Sequence, residues 1–506
     1  MGDDLKRESN ILLTDLYELT MMAAYYDSGM EDQQAVFEYI FRRLPRNTGF
    51  AIMAGLDPLL DDLEELHFSP DDLEYLRSLG IFAEEFIEAI KDFRFKCDVY
   101  AAPEGSLIFP NETICRVHGP LAQSQIIETL VLNRLNYQTL IATKAARCTA
   151  AAQGDPIVEF GLRRAQGPDG GISGSRAAYI GGARSTSNVI AGKLFGIPVM
   201  GTHAHSWVMA FDTELESFRA YVRAFPQNPV LLLDTYDTLE SGVPNAIIAL
   251  NELRAGGKPV RAGVRLDSGD IAKLSKEVHK RLEAAGFPDP LIVASNELDE
   301  YLIADMKRQG AKVNSWGVGT RLVTGGDEPA LGGVYKLSAV FKESGWDIKM
   351  KISNNAEKTT DPGVKMPYRF YSPEGEMLGD VMFLENEDAG PVGAIISHDR
   401  MVFERTRAFR EAYERRPLLQ QVMKNGKRLI KRKSVSEIQS YAKSQLKSLP
   451  AEMQRLINPE IYWVGLSETL AEKKRAAIKD FWAGKEAAPT EPGTATAGGQ
   501  DIGGEI

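Results

Sequence analysis

The sequence predicts an α/β protein: an irregular parallel β/α barrel with a flanking α+β domain. Three observations carry that expectation. From about residue 154, short apolar runs alternate with helical stretches. The runs are Ile157–Phe160, Ala178–Ile180, Val199–Thr202, Val230–Leu233, Gly263–Leu266, Leu291–Ala294 and Val313–Trp316. The helical stretches are Ser187–Leu194, Glu214–Ala224, Pro244–Arg254, Ile271–Ala285 and Glu297–Gln309. No Gly-x-Gly-x-x-Gly follows the first run, which favours a closed or nearly closed barrel over an open dinucleotide-binding sheet. The segments on either side lose this alternation and read as mixed helices, strands and turns.

The chain opens with a helical pattern over 11–30, with Thr14 or Asp15 as its cap. Val36–Phe41 reads as a strand and Pro45–Gly49 as a turn. Leu56–Leu66, Pro70–Leu79 and Ala83–Lys91 have the spacing of short amphipathic helices, and strands are expected near 97–102, 106–110 and 113–117. A long Ala- and Thr-rich helix is expected from about Gln123 to Ala152. After about 335 strands and turns return, and Asn425-Gly426 between two strand-like arms signals a type I′ hairpin. Its basic neighbours, Lys424 to Lys433, read as a solvated sheet edge. The division expected is 1–124 α+β, 125–337 barrel, 338–450 completing the flanking domain, 451–484 helical, and a disordered Gly/Ala/Pro/Thr-rich tail over 485–506.

Composition narrows the function. Forty-three per cent hydrophobic and 25% charged residues are ordinary for a soluble globular protein of 506 residues. The formal charge of −11 argues against a nucleic-acid-binding body. No run approaches a membrane span, and residues 1–12 hold no apolar signal core. Cys97, Cys115 and Cys148 lack metal-ligand spacing and read as reduced thiols, so a cytoplasmic protein is expected.

The chemistry concentrates at the ends of the apolar runs. Of six histidines, His203 and His205 stand together in Gly201-Thr202-His203-Ala204-His205-Ser206-Trp207. Such a pair can ligate a metal, sit in the core, or contact a substrate or a phosphoryl group. In Gly263-Val264-Arg265-Leu266-Asp267-Ser268-Gly269-Asp270, strand alternation turns Arg265 and Asp267 to one face. There Arg265 can grip a carboxylate or phosphate and Asp267 a hydroxyl or metal, or the two can form a structural ion pair. Gly317-Val318-Gly319-Thr320, late in the series, can cradle a phosphate or be a plain turn, and Ser295-Asn296 is a weaker case of the same kind. Phe160 beside Arg163 and Arg164 suits an anion with a flat ring, or surface arginines.

Taken together, these pieces resemble the nicotinate phosphoribosyltransferases, across roughly residues 10–450 and in order. The resemblance rests on Leu13-Thr14-Asp15-Leu16-Tyr17, Phe41-Arg42-Arg43-Leu44-Pro45, Glu159-Phe160-Gly161-Leu162-Arg163-Arg164-Ala165-Gln166, Ala204-His205-Ser206, Leu233-Asp234-Thr235-Tyr236-Asp237, Val264 to Asp270, Gly317 to Thr320 and Gly332-Gly333-Val334-Tyr335-Lys336-Leu337. It implies a type II phosphoribosyltransferase-like barrel. It also implies transfer of phosphoribosyl from 5-phosphoribosyl 1-pyrophosphate to nicotinate, with Mg²⁺, and ATP hydrolysis coupled through a phosphohistidine. On this resemblance His205 is the phosphohistidine and Asp267 holds ribose hydroxyls or metal-bound substrate. Nicotinate is met by Tyr17 from across a homodimer interface, and by Phe160, Thr202, Arg265 and Asn188, the last distinguishing acid from amide or else only capping the helix Val189–Leu194. Phosphoribosyl pyrophosphate is met by Arg163, Ser295, Gly317, Gly319, Thr320 and Lys336. Position 203 varies in the family, which leaves the His-x-His spacing incidental. Thr202 and His205 can serve one site only if their strand ends near Gly201. Quinolinate or nicotinamide phosphoribosyl transfer, a metal-dependent barrel hydrolase using His203 and His205, and a silent binding protein are the alternatives.

Overall fold

The parallel sheet predicted for the middle of the chain is present, with its strands out of sequence order. The computed structural model describes residues 9–256, 261–353 and 358–487. Six parallel strands lie in the order Ser185–Thr186, Ile157–Glu159, Ser315–Val318, Leu291–Ala294, Gly263–Leu266, Val230–Leu232. A single parallel bridge from Thr186 to Val199 extends the first edge. Among the described residues no ladder joins that edge to Val230–Leu232, so backbone hydrogen bonds do not close the expected barrel.

Two expected strands change character. Ala178–Ile180 is the end of a helix, Gly167–Ile180. Its small residues let it lie against the Glu128–Ala151 helix, where a Cβ on Gly181 would meet the Ala142 carbonyl at 2.0 Å. A buried helix turn and a short buried strand look alike in a three-residue window. The strand in its place, Ser185–Thr186, is polar and fully buried. Val199–Thr202 keeps only its first residue in the sheet. Val313–Trp316 shifts to Ser315–Val318. The long helix divides into Leu121–Gln125 and Glu128–Ala151.

The flanking region forms a seven-stranded sheet in the order Gly345–Ile348, Gly333–Lys342, Gln34–Phe41, Cys115–Pro120, Asp98–Ala101, Gln420–Lys424, Lys427–Arg428. It draws on both ends of the chain. Asn425 and Gly426 turn its last hairpin with φ of 47° and 72°, as a type I′ turn requires. Arg428 departs from the solvated edge expected there: its guanidinium pairs with Asp57 and Asp61, each at 2.9 Å, and is nearly covered. A further six-stranded sheet spans residues 365–466. The expected helical segment 451–484 holds a strand, Val464–Leu466, followed by the helix Glu468–Ala487. Buried Asp361 ties that helix down, accepting from Lys474 Nζ at 2.8 Å and Arg400 Nε at 2.6 Å. The loose tail expected over 485–506 lies, from 488 onward, outside the described residues. No described helix is long and apolar enough to cross a membrane.

Candidate active site

The carboxyl ends of the parallel strands gather the predicted residues, as open α/β sheets and barrels do. Arg265 is central. Its Nε donates to Ser295 Oγ at 2.7 Å, one Nη to Thr202 Oγ1 at 2.9 Å and the other to Asp267 Oδ1 at 2.9 Å. Its Cζ lies 5.7 Å from the centroid of the Phe160 ring. Ser295 donates onward to Asp267 Oδ1 at 2.5 Å. Burial pulls the Asp267 carboxyl upward, but the Ser295 hydroxyl and the Arg265 guanidinium outweigh it and hold the group below the usual carboxylate range. Asp267 is therefore an anion at neutral pH. Its second oxygen faces His205 Nε2 at 3.6 Å.

His205 meets the condition set by the sequence. Sheet pairing stops at Met200, whose N–H donates to Thr186 O. Residues 201–204 are a loop and His205 opens a short helix, His205–Met209. Thr202 and His205 thus reach the same site without strand alternation. His205 Nδ1 lies 3.1 Å from Thr235 Oγ1, a partner not singled out from the sequence. Neighbouring Asp234 accepts from Asp267 N at 2.8 Å and Ser268 Oγ at 2.6 Å, and its Oδ1 is buried without a partner. An acidic and a hydroxyl residue directly after an apolar strand were the available signal for both.

His203 is not poised beside His205 as a metal ligand. Its Nε2 accepts from Leu232 N at 3.2 Å, its ring lies edge-on to Tyr221 at 4.6 Å, and burial pushes its pKa down to about 4. With that nitrogen committed, the metal hydrolase reading loses its ligand pair.

The glycines act on Phe160. A Cβ on Gly317 would lie 2.5 Å from the Phe160 ring, and one on Gly319 would lie 3.1 Å from the Phe160 carbonyl. Gly317 stands inside the strand ladder opposite Val158, so its missing side chain makes room for the ring. Thr320 Oγ1 donates to Glu297 at 3.0 Å. Behind Phe160, buried Glu159 accepts from Gly161 N and from the hydroxyls of Ser175 and Thr186. Gly317→Ala is expected to displace the Phe160 ring and lower kcat/KM for the aromatic substrate about 10–100-fold in a folded protein. Steady-state kinetics alongside circular dichroism would show whether it does.

Other predicted residues lie elsewhere. Asn188 is fully buried; its amide donates to Gly171 O and Ser175 Oγ while its Oδ1 caps the helix Val189–Phe195. Both amide hydrogens are committed inside the fold, so the structure gives Asn188 a capping role in place of a ligand contact. Arg163 is exposed on the turn Leu162–Arg164. Lys336 Nζ lies 3.5 Å from Glu128 Oε1. Tyr17, 46% exposed on the helix Leu16–Asp27, lies in the field of the same Glu128. Among the described residues no ring contact joins Tyr17 to Phe160 within the chain.

Three family descriptions match the chain in succession: the nicotinate phosphoribosyltransferase N-terminal domain over 12–136, the nicotinate phosphoribosyltransferase family over 156–371, and the C-terminal domain over 364–474. The nicotinate phosphoribosyltransferase of Bacillus subtilis (strain 168) is 41% identical over 485 residues, covering 94% of this chain and 96% of its own. The chain belongs to the nicotinate phosphoribosyltransferase family. As a member it is an enzyme of nicotinate phosphoribosyl transfer, a reaction of NAD salvage. Human nicotinic acid phosphoribosyltransferase superposes with a TM-score of 0.81 at 32% identity, over 92% of this chain and 99% of its own. A nicotinate-nucleotide pyrophosphorylase from Pyrococcus furiosus shares the fold, with a TM-score of 0.65 at 23% identity, over 88% of this chain and 97% of its own.

Proposed function

We propose that this family member joins nicotinate to 5-phosphoribosyl 1-pyrophosphate at the Arg265 centre, with ATP hydrolysis coupled through phosphorylation of His205. One observation carries the assignment of the base site. Three of the five guanidinium N–H donors of Arg265 are held by Ser295, Thr202 and Asp267. The two remaining suit a carboxylate, and the guanidinium is already fixed beside an aromatic ring. Nicotinate stacked on Phe160 with its carboxylate on Arg265 satisfies both groups. The pyridine nitrogen carries no proton, so the attack on the anomeric carbon needs no general base. What the site must supply is alignment and stabilisation of a positively charged, oxocarbenium-like ribose. The Asp267 anion at the strand ends serves that purpose. We assign Ser295, Gly319 and Thr320 to the phosphoribosyl group, with Arg163, on the exposed turn Leu162–Arg164, as a further phosphate contact.

Mg²⁺ carried on the pyrophosphate needs only one or two protein carboxylates. The unpartnered Oδ1 of Asp234 and the outer oxygen of Asp267 fit that demand. Bound there, the metal would neutralise the departing pyrophosphate.

Tyr17 is read as a contribution to a partner's site in a homodimer, and Lys336 as a phosphate contact. Both neighbour Glu128. Exposed Val199, Met200 and Met209, flanking Thr202 and His205, and Val189 and Leu194 on the helix Val189–Phe195, supply apolar surface for such an interface. Mixing Tyr17→Ala and His205→Ala proteins is expected to regenerate ATP-stimulated activity through hybrid dimers. No recovery despite proven subunit exchange would count against shared sites.

The deciding assay offers nicotinate, nicotinamide and quinolinate in parallel with phosphoribosyl pyrophosphate and Mg²⁺, with and without ATP. Nicotinate mononucleotide stimulated by ATP, with ADP released, is the expected result. His205→Ala should abolish both the stimulation and the incorporation of labelled phosphate. Preferential use of quinolinate, or labelling that survives in His205→Ala, would overturn the reading.

A further inference from the structure

Among the described residues the Val230–Leu232 edge of the parallel sheet is unpaired, and the loop 201–204 lies against it. In Val230–Leu232 the N–H groups alternate in direction. Leu233 N donates to Arg265 O on the inner side, so the Leu232 N–H points to the open edge. Leu232 is fully buried, and a buried N–H requires an acceptor. No described strand supplies one. The acceptor is the imidazole of His203.

That bond does not stand alone. The Thr202 hydroxyl accepts from Arg265 and donates to His203 O at 3.2 Å. Two residues beyond His203, His205 Nδ1 meets Thr235 Oγ1. The loop 202–205 is therefore fastened twice to the 232–235 segment, by His203 to Leu232 and by His205 to Thr235. Thr202, which holds Arg265, directly precedes the first fastening, and His205 is itself the second. The ring is held in turn by Tyr221 and Phe218 of the helix Glu214–Ala224.

We infer that His203 is a positioning residue: its Nε2 substitutes for a missing strand at the open sheet edge, and so sets Thr202, through it Arg265, and His205 in register with the site. This rests on the reading that Arg265 receives the nicotinate carboxylate. Histidine suits the task because a neutral imidazole with its proton on Nδ1 leaves Nε2 as an acceptor at the end of a rigid arm. That proton can point toward Ala204 O, 3.4 Å away.

The test compares His203→Leu, which fills the space without an acceptor, with His203→Gln, whose Oε1 reaches about where Nε2 does. In His203→Leu the KM for nicotinate should rise about tenfold while that for phosphoribosyl pyrophosphate changes less than about twofold. Amide hydrogen exchange over 230–236 should accelerate in the same variant. His203→Gln should restore both to near the unsubstituted values. If exchange and nicotinate KM in His203→Leu match the unsubstituted protein, the inference fails. It also fails if His203→Gln is impaired as much as His203→Leu, since ring packing on Tyr221 would then be the whole role. Should His203→Leu not fold, the Leu232 amide of the unsubstituted protein decides. Slow exchange is expected despite its place on a strand edge, and fast exchange overturns the proposal. Failure of the base-site reading shows separately, as an unchanged nicotinate KM in Arg265→Ala.

Discussion

Arg265→Ala is expected to lower kcat/KM for nicotinate about a thousandfold while leaving the protein folded. Loss of a charge-assisted, bidentate carboxylate contact in a partly buried site accounts for roughly 2–5 kcal/mol. The side chain is only 14% exposed, so solvent does not replace it freely. A second effect adds to the first, because Arg265 also holds Thr202, Ser295 and Asp267. Without it Asp267 loses the guanidinium that helps keep it ionised, and Ser295 loses its donor. Arg265→Lys should recover little, since one ammonium cannot reach three oxygens and a carboxylate together. The diagnostic comparison is with nicotinamide. An uncharged amide gains less from the guanidinium, so its use should fall by a smaller factor. Equal losses for acid and amide, measured as kcat/KM, would remove Arg265 from carboxylate recognition.

Asp361→Ala is expected to cost about 3–5 kcal/mol of stability, because it strands two buried cations. Lys474 and Arg400 have side chains 1% and 9% exposed, and Asp361 is their shared carboxylate. Burial alone would raise the Asp361 pKa, but Arg400 and Lys474 drive it well below the carboxylate range. The sign follows. A carboxyl depressed in the folded state adds stability that is fully present above its unfolded pKa, near 4, and is lost as pH falls through the folded value. The stability gap between the unsubstituted protein and Asp361→Asn should therefore be widest near neutrality and narrow below about pH 4. Denaturant titrations at both pH values measure it. A gap that is constant with pH would mean the clasp acts through packing alone.

Much of this was legible in the sequence, for a physical reason. Runs such as Val230–Leu233 and Gly263–Leu266 are apolar because both faces of a parallel strand are buried, and the structure keeps them. The Asn-Gly hairpin was readable because few other dipeptides accept positive φ twice. Ser185–Thr186 was not readable, because the Thr186 hydroxyl is satisfied by a buried carboxylate, Glu159, far from it in sequence. The gathering of Arg265 and Asp267 on one face followed from alternation. Their joint hold on Ser295 did not, nor did the pairing of His205 with Thr235, since both depend on which strands become neighbours. Asn188 carried two readings, a ligand contact by resemblance and a cap by its place before Val189, and its hydrogen bonds serve the cap.

The sheet order bears on when the site comes into being. Ser315–Val318 is the last of the six parallel strands to leave the ribosome, yet it lies third in the sheet, between Ile157–Glu159 and Leu291–Ala294. Until it inserts, the strands carrying Phe160 and Arg265 belong to two unconnected halves. Its Gly317 also provides the hollow in which Phe160 lies. A nascent chain that ends between residues 267 and 315 already holds Arg265, Asp267 and His205, yet lacks the strand that joins the Arg265 half of the sheet to Phe160 and gives the ring its hollow.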